Sequence, residues 1–330
     1  MSNPAVSKQR IAVVLPAYNE ELTIADTVRA FHAALPETAI YVVNNNSSDR
    51  TRECAEQVLR ELACPGRVVN ETRQGKGSAL RRAFIEIDAD IYVLADADLT
   101  YPAHQARELM APVIEGRADM AVGDRQSGGD YARENQRSFH GFGNRLVQWM
   151  VNRLFRARLV DIMSGYRVFS RDFVKTYPVL AEGFQIETDM TLHALHKRLR
   201  IVEIPVAYKD RPNGSVSKLN TLSDGTRVLF AIAQIFRYYR PLAFFSVLSL
   251  ILLLSGFAAG VPVFDDWIQY RYIYHVPLAI LATGLCIASV MALGIGLILD
   301  SVAHQQRLEF ELRWLARSER AEVPPGREAV

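Results

Sequence analysis

Apolar residues follow two different regimes along this chain. Short apolar runs at Ile11–Leu15, Ile40–Val43, Arg67–Val69, Ile91–Ala95 and Met120–Val122 have the length of buried strands. Between them lie Glu20–Leu35, Thr51–Leu62, Ser78–Ile87 and Ala103–Glu115, where apolar residues recur at helical spacing. This β-α-β-α order predicts an α/β domain with a mostly parallel sheet covered by helices. The pattern continues with a longer helix over Asn135–Phe155 and a strand at Tyr166–Ser170. A helix near Glu187–Lys197 and a strand at Ile201–Tyr208 follow. The segment Lys209–Ser215 carries Pro212 and Gly214 and reads as irregular backbone. No internal repeat or low-complexity stretch interrupts the alternation.

The second regime begins near Leu242. Leu242–Val263 and Val276–Leu299 are almost wholly apolar. Each exceeds the roughly 20 residues that cross about 30 Å of hydrocarbon. The short segment between them holds Asp265, Asp266 and Arg271, while Arg227, Arg237 and Arg240 precede the first run. Arg307, Arg313, Arg317 and Arg320 follow the second. The positive-inside rule then predicts a multi-pass protein of the inner (cytoplasmic) membrane, with two spans and both termini in the cytoplasm. Trp267, Tyr270, Tyr272 and Tyr274 suit an interfacial belt, and Thr221–Tyr239 has the amphipathic spacing of a helix lying in the membrane surface. The expected organisation is a catalytic domain over 1–218, an interface helix over 219–240, a transmembrane hairpin over 241–300 and a cytoplasmic tail over 301–330. Two short-looped spans could also pack between protomers of a homo-oligomer.

Composition narrows the partners. A net charge of +2 over 330 residues argues against nucleic-acid binding. The three cysteines, Cys54, Cys64 and Cys286, lack metal-ligand spacing, which fits reduced thiols in a cytosolic part. The apolar run after the polar amino terminus is too short for a signal-peptide core, so the chain is expected to begin in the cytosol.

Candidate chemistry gathers where strands end. Asp96-Ala97-Asp98 follows the run Ile91–Ala95 and precedes Pro102, which suits a helix's first turn. Carboxylates one residue apart at a strand's carboxyl end can hold a hard divalent cation, which can neutralise a diphosphate. Asp88-Ala89-Asp90 has the same spacing but precedes the strand, at the opposite edge of the sheet. Pro16-Ala17-Tyr18-Asn19-Glu20 either presents a nucleotide-binding turn or caps a helix through Asn19. Asn44–Asp49 either reads a base or forms an ordinary turn. Glu187 and Asp189 either touch substrate or are acidic residues in a helix's first turn. Arg73–Ser78 lacks the spacing of a Walker-type phosphate loop.

In order, these segments resemble the family 2 glycosyltransferases, in the branch of dolichyl-phosphate mannose synthase and bacterial polyprenyl-phosphate glycosyltransferases. The resemblance covers about Ile11 to Leu229. It rests on Pro16–Glu20, Asn44–Thr51, Asp96–Asp98, Asp161-Ile162-Met163-Ser164-Gly165-Tyr166-Arg167 and the basic segment from Arg211 to Lys218-Leu219. It implies a GT-A fold, a nucleotide-sugar donor, Mg²⁺ or Mn²⁺, and a polyprenyl-phosphate acceptor, with undecaprenyl phosphate the bacterial form. Carried over, Pro16, Tyr18, Glu20, Asn44, Asp96 and Ala97 would hold the nucleotide, and Asp98, with Asp96, the metal. Arg211 and Lys218 would close over the diphosphate. Arg125, Arg137 and Ser164 would meet the acceptor phosphate, and Glu187 and Asp189 the sugar or acceptor.

Two positions depart from the family pattern. Asn44 stands where Asp is usual and Thr100 where some relatives carry a metal-coordinating Gln. Gln234–Tyr238 faintly resembles the Q-x-x-R-W signature of processive polysaccharide synthases, with Tyr in place of Trp. Two spans are too few for a polymer channel. A membrane-tethered, non-catalytic binding protein is the third reading, and the intact carboxylate pair argues against it.

Overall fold

The structure, a computed structural model, describes residues 9–127, 138–179, 186–208 and 233–322. The chain divides into two compact units, Met1–Asp224 and Gly225–Val330. The sequence-predicted site residues Arg137, Arg211 and Lys218 lie outside the described residues, as does most of the predicted interface helix.

In the first unit the described elements run β1 (Ile11–Ala17), α1 (Ile24–Ala34), β2 (Ala39–Asn44), α2 (Thr51–Glu61), β3 (Gly66–Asn70), α3 (Lys76–Glu86) and β4 (Ile91–Leu94). A 3-10 turn (Ala103–Gln105), α4 (Ala106–Ile114), β5 (Met120–Asp124) and α5 (Ser138–Phe155) come next. The unit's remaining elements are β6 (Arg167–Ser170), α6 (Arg171–Thr176), α7 (Ile186–His196) and β7 (Ile201–Pro205). The strands form one sheet in the order β3-β2-β1-β4-β6-β5-β7. All neighbours are parallel except β6, which runs antiparallel to both β4 and β5. The expected mostly parallel sheet is therefore present with one reversed strand.

Strand order places the site. The chain winds from β1 outward through β2 to β3, then returns to put β4 on β1's other flank. Such a switch leaves a crevice at the carboxyl ends of β1 and β4, where open α/β sheets take ligands. The strands are buried on both faces: Val13, Val14, Leu15, Ile40, Val42, Val43, Tyr92 and Val93 are each fully enclosed. Phe31 of α1 and Leu80 of α3 add to the packed interior. Pro16 lies inside β1, in register with Val43, rather than in the turn after it. Its missing N–H costs no ladder bond, because it faces β4, whose pairing with β1 ends at Val14 and Leu94.

His193 on α7 packs edge-on against Phe173 and Tyr177. Burial, reinforced by Lys197 and His196, holds its pKa down from 6.5 to about 4. The unfolded chain therefore takes up a proton near pH 6.5 that the folded chain refuses until about pH 4. Stability falls across that window by up to about 3 kcal/mol. A His193→Phe variant is expected to flatten this acid-side slope, read as Tm against pH; an unchanged slope would refute the assignment.

The second unit contains α8 (Pro241–Tyr270) and α9 (Val276–Glu322). They are antiparallel, and small residues let them approach. Ser249 and Ser289 hydroxyls lie 2.9 Å apart. A Cβ added at Gly256 would meet Cys286 Sγ at 3.0 Å, and one at Gly296 would meet Phe245 Cβ at 2.7 Å. Asp266 closes the connecting turn by accepting from the backbone N–H groups of Tyr274 and His275. Both helices are long and apolar enough to cross a membrane. Leu250, Ile251, Leu254, Phe257, Ile280, Val290 and Ile298 remain exposed along them. α9 continues well beyond the expected end of the second span at Leu299.

Candidate active site

The floor of the crevice is a set of stitched turns. After β1, Asn19 takes a left-handed φ of 53°. Its side chain accepts from Ser48 N and its own N–H donates to Ser47 Oγ, so it ties the first loop to the second instead of capping α1. The N-cap of α1 is Thr23. Glu20 N–H donates to Thr51 Oγ1, and Tyr18, just before these ties in the chain, is half-buried. At the end of β2, Asn44 Nδ2 donates to Asn70 Oδ1 at the matching end of β3, while its Oδ1 accepts from Ser47 N. Asn45 reaches the third loop, donating to Arg73 O and accepting from Gly75 N. Gly75, at φ 120° and ψ 137°, adopts a backbone that only glycine takes readily.

The Asp96-Ala97-Asp98 turn is anchored from two sides. Thr23 and Thr27 hydroxyls both donate to Ala97 O, joining the turn to the start of α1. Asp98 is 3% exposed, and its Oδ1 accepts from Thr100 N at 3.2 Å and Thr100 Oγ1 at 2.6 Å. Thr100 therefore orients Asp98. Leu99 between them holds φ 63°, a strained conformation for a branched side chain. The matching pair Asp88 and Asp90 lies at the opposite edge of the sheet, ion-paired with Arg10 and Arg171.

Asp96 is held by a residue that the sequence reading passed over. Lys76 Nζ donates to Asp96 Oδ1 at 2.5 Å and to Glu187 Oε1 at 2.5 Å. Lys76 is the first residue of α3, where the helix dipole disfavours a cation, and that turn has no acid of its own. Burial alone would push its pKa down; the two carboxylates more than offset this and hold it raised. The available signal was Gly75-Lys76-Gly77 opening a helix, set aside because it is not a Walker loop. Gly165 closes the cluster: a Cβ there would come within 2.7 Å of Asp96 Oδ2. Asp189 lies in the same helical turn as Glu187, but its Oδ2 accepts from Tyr177 OH.

Reversal of β6 brings in the other wall. The loop 161–166 enters β6 at the edge where β4 and β5 end, since Arg167 pairs with Leu94 and Val122. Arg125, just past β5, grips Asp161 through Nε at 2.7 Å and a terminal guanidinium nitrogen at 2.9 Å. Arg125 also stands over the Tyr208 ring. Asp161 and Val160 N–H groups donate in turn to Glu203, whose pKa burial pushes up. Ser164 is fully buried, its Oγ accepting from Tyr166 N. Arg167, also fully buried, donates to Ser164 O, Ile162 O and Thr191 Oγ1, tying the loop to α7. Asp96, Lys76, Glu187 and Gly165 thus form one cluster, while Arg125 and Asp161 form a second.

The family model described as glycosyl transferase family 2 matches residues 12–177, which contain every strand end and turn of this crevice. The chain belongs to glycosyl transferase family 2. It is a glycosyltransferase, of the hexosyltransferase class, with the expected GT-A fold. This family 2 chain is 27% identical to glycosyltransferase AglJ of Haloferax volcanii over 298 residues, covering 90% of this chain and 95% of that one. It is 25% identical to the undecaprenyl-phosphate mannosyltransferase of Micrococcus luteus over 224 residues, covering 62% and 86%. Among solved structures, glucosyl-3-phosphoglycerate synthase from Mycobacterium tuberculosis, in complex with Mn²⁺ and uridine-diphosphate-glucose, superposes with a TM-score of 0.52 at 22% identity. That match covers 69% of this chain and 78% of the other, and it establishes the shared fold.

Proposed function

We propose that this glycosyltransferase moves a sugar from a UDP- or GDP-sugar to a polyprenyl phosphate, such as undecaprenyl phosphate, giving a lipid-linked monosaccharide. The observation that carries the reading is a carboxylate pair at the β1/β4 switch point in the same chain as two membrane-length helices. Relatives named for transfer to dolichol phosphate, polyprenol and undecaprenyl phosphate support the acceptor class. The fold neighbour's Mn²⁺ and uridine-diphosphate-glucose support the donor class.

A divalent cation fits the residues present. Among the described residues no three His, Cys, Asp or Glu side chains converge on a ready-made cage. Two hard carboxylates, completed by the donor's phosphate oxygens and water, match the way Mg²⁺ is ordinarily held. Asp98, fixed by Thr100, and Asp96 would hold Mg²⁺ or Mn²⁺, which when bound neutralises charge on the departing diphosphate. Pro16, Tyr18, Glu20, Asn44 and Ala97 would line the nucleotide, with Arg211 and Lys218 closing over it. Asn44 offers an amide whose Nδ2 already donates to Asn70 and whose Oδ1 already accepts from Ser47 N, which leaves one N–H and one lone pair for a base.

Arg125, oriented by Asp161, would receive the acceptor phosphate together with Arg137, and Ser164 would shape the loop behind them. A phosphate oxygen attacks the anomeric carbon, the bond from that carbon to the diphosphate oxygen breaks, and configuration inverts. The acceptor is already anionic near neutral pH, so the step requires no general base. Glu187 and Asp189 would face the sugar hydroxyls or the acceptor. α8 and α9 would span the inner membrane with both ends on the cytoplasmic side.

The full chain in vesicles containing undecaprenyl phosphate is expected to move radiolabelled sugar into a butanol-extractable, acid-labile lipid, and excess EDTA is expected to abolish this. Label that stays in a long water-soluble polymer, or transfer indifferent to EDTA, would overturn the proposal.

A further inference from the structure

We infer that Tyr101 is a further substrate-binding residue, whose phenolic O–H donates to a phosphate oxygen held between Asp96 and Arg125. Among the described residues the buried tyrosines are Tyr92, Tyr101, Tyr166 and Tyr177. All but Tyr101 place their proton on an acceptor inside the fold. Tyr92 OH donates to Ile87 O at 2.8 Å, Tyr166 OH to Pro102 O at 3.2 Å and Tyr177 OH to Asp189 Oδ2 at 2.7 Å. The Tyr101 oxygen accepts from Gly165 N at 2.9 Å, but among the described residues its own O–H has no acceptor.

An enclosed phenol that gives up water without gaining an acceptor destabilises the fold, so such a donor calls for a reason. Tyr101 is only 6% exposed, and its ring is firmly set. It packs on Tyr166 with centroids 5.2 Å apart and meets Tyr208 edge-on at 5.8 Å. Burial, opposed by the charges of Arg125 and Lys76 and aided by Asp96, raises its pKa. The group therefore keeps its proton at neutral pH and can serve as a donor.

Its place in the crevice identifies the missing acceptor. A Cβ added at Gly165, whose N–H holds the Tyr101 oxygen, would come within 2.7 Å of Asp96 Oδ2 and 3.2 Å of Lys76 Nζ. On the other side, the Tyr208 ring that meets Tyr101 carries the Arg125 guanidinium 5.6 Å from its centroid. Tyr101 thus joins the cluster proposed to face the donor to the arginine proposed to receive the acceptor. On that assignment the inference rests on the proposed function. Both substrates bring phosphate oxygens to this seam, the donor through its diphosphate and the acceptor through its headgroup. Sugar hydroxyls can donate to the carboxylates already present, whereas an ionised phosphate can only accept. A neutral O–H directed at such an oxygen makes a charge-assisted hydrogen bond, roughly twice as strong as a neutral one.

The test compares Tyr101→Phe with Tyr92→Phe in the full chain. Each removes one buried phenolic O–H and leaves the ring. Tyr92→Phe breaks two internal hydrogen bonds, to Ile87 O and from Ala89 N, at the edge of the sheet opposite Asp96. Tyr101→Phe breaks one, from Gly165 N. Calorimetry follows binding of two probes, farnesyl phosphate and whichever of UDP and GDP, with Mn²⁺, the parent binds more tightly. Tyr92→Phe is expected to lower Tm further yet bind both probes as the parent does. Tyr101→Phe is expected to weaken at least one probe about tenfold. Loss confined to farnesyl phosphate places the O–H on the acceptor phosphate, and loss confined to the nucleotide places it on the donor's diphosphate. Parent-like affinity of Tyr101→Phe for both probes would overturn the inference, as would an equal loss in Tyr92→Phe. Sugar transfer is measured on the same samples. A parent that shows these binding differences but transfers no sugar to lipid would overturn the proposed function and leave the phosphate contact of Tyr101 standing.

Discussion

Asp98→Asn is expected to lower kcat for sugar transfer on the order of 10³-fold. The substitution isolates charge from shape. Asn retains the Oδ1 acceptor that Thr100 fills through both its backbone N–H and its hydroxyl, so the turn around Leu99 keeps its ties. What is lost is one unit of negative charge, at a site 3% exposed and thus poorly screened by water. Divalent-cation binding, followed by calorimetry in the presence of donor, should weaken in parallel, while Tm stays near that of the parent. Activity within threefold of the parent, at unchanged cation affinity, would remove Asp98 from the metal role.

Lys76→Met should have the second large effect, and on two properties at once. It leaves Asp96 and Glu187 facing each other without the ammonium that both contact at 2.5 Å. Breaking an enclosed ion cluster by deleting one partner costs about 3 to 5 kcal/mol, because the remaining charge is stranded. Transfer is expected to fall at least 10²-fold, since Asp96 loses the contact that orients it. Pairing Lys76→Met with Glu187→Gln separates the two consequences by a double-mutant cycle. Stability should return in the pair, as a single carboxylate is no longer opposed by another. If the pair transfers as well as Glu187→Gln alone, Lys76 serves the fold alone; if the pair stays well below that single variant, Lys76 acts on the donor site directly.

Much of this molecule is legible from hydrophobic pattern because the strands are enclosed on both faces. Runs such as Ile11–Leu15 and Ile91–Ala95 can be little else once helical segments alternate with them. The two carboxylate pairs were separable for the same reason: a strand has direction, so Asp88 and Asp90 had to lie at the far edge from Asp96 and Asp98. Two things escaped. Reversal of β6 is invisible in the four residues Arg167–Ser170, since parallel and antiparallel pairing bury the same side chains. Lys76 escaped because its partners are distant in sequence, and a lysine opening a helix offers no local sign that two carboxylates await it. Thr100 was read as a missing ligand; its place in the fold is as the hydrogen-bond donor that aims Asp98.

The reversed strand separates two evolutionary tasks within one crevice. The turns proposed to hold the donor follow β1, β2, β3 and β4 and are stitched to one another through Asn19, Asn45, Thr23 and Thr27. The facing wall comes from the approach to β6 and is stitched separately, through Arg167, Asp161 and Glu203. The two sets meet at Gly165 against Asp96 and at Lys76 against Glu187. On the proposed assignment, substitutions on the β6 approach would retune the acceptor while the nucleotide half stays unaltered, the kind of independence that lets one scaffold diversify its products.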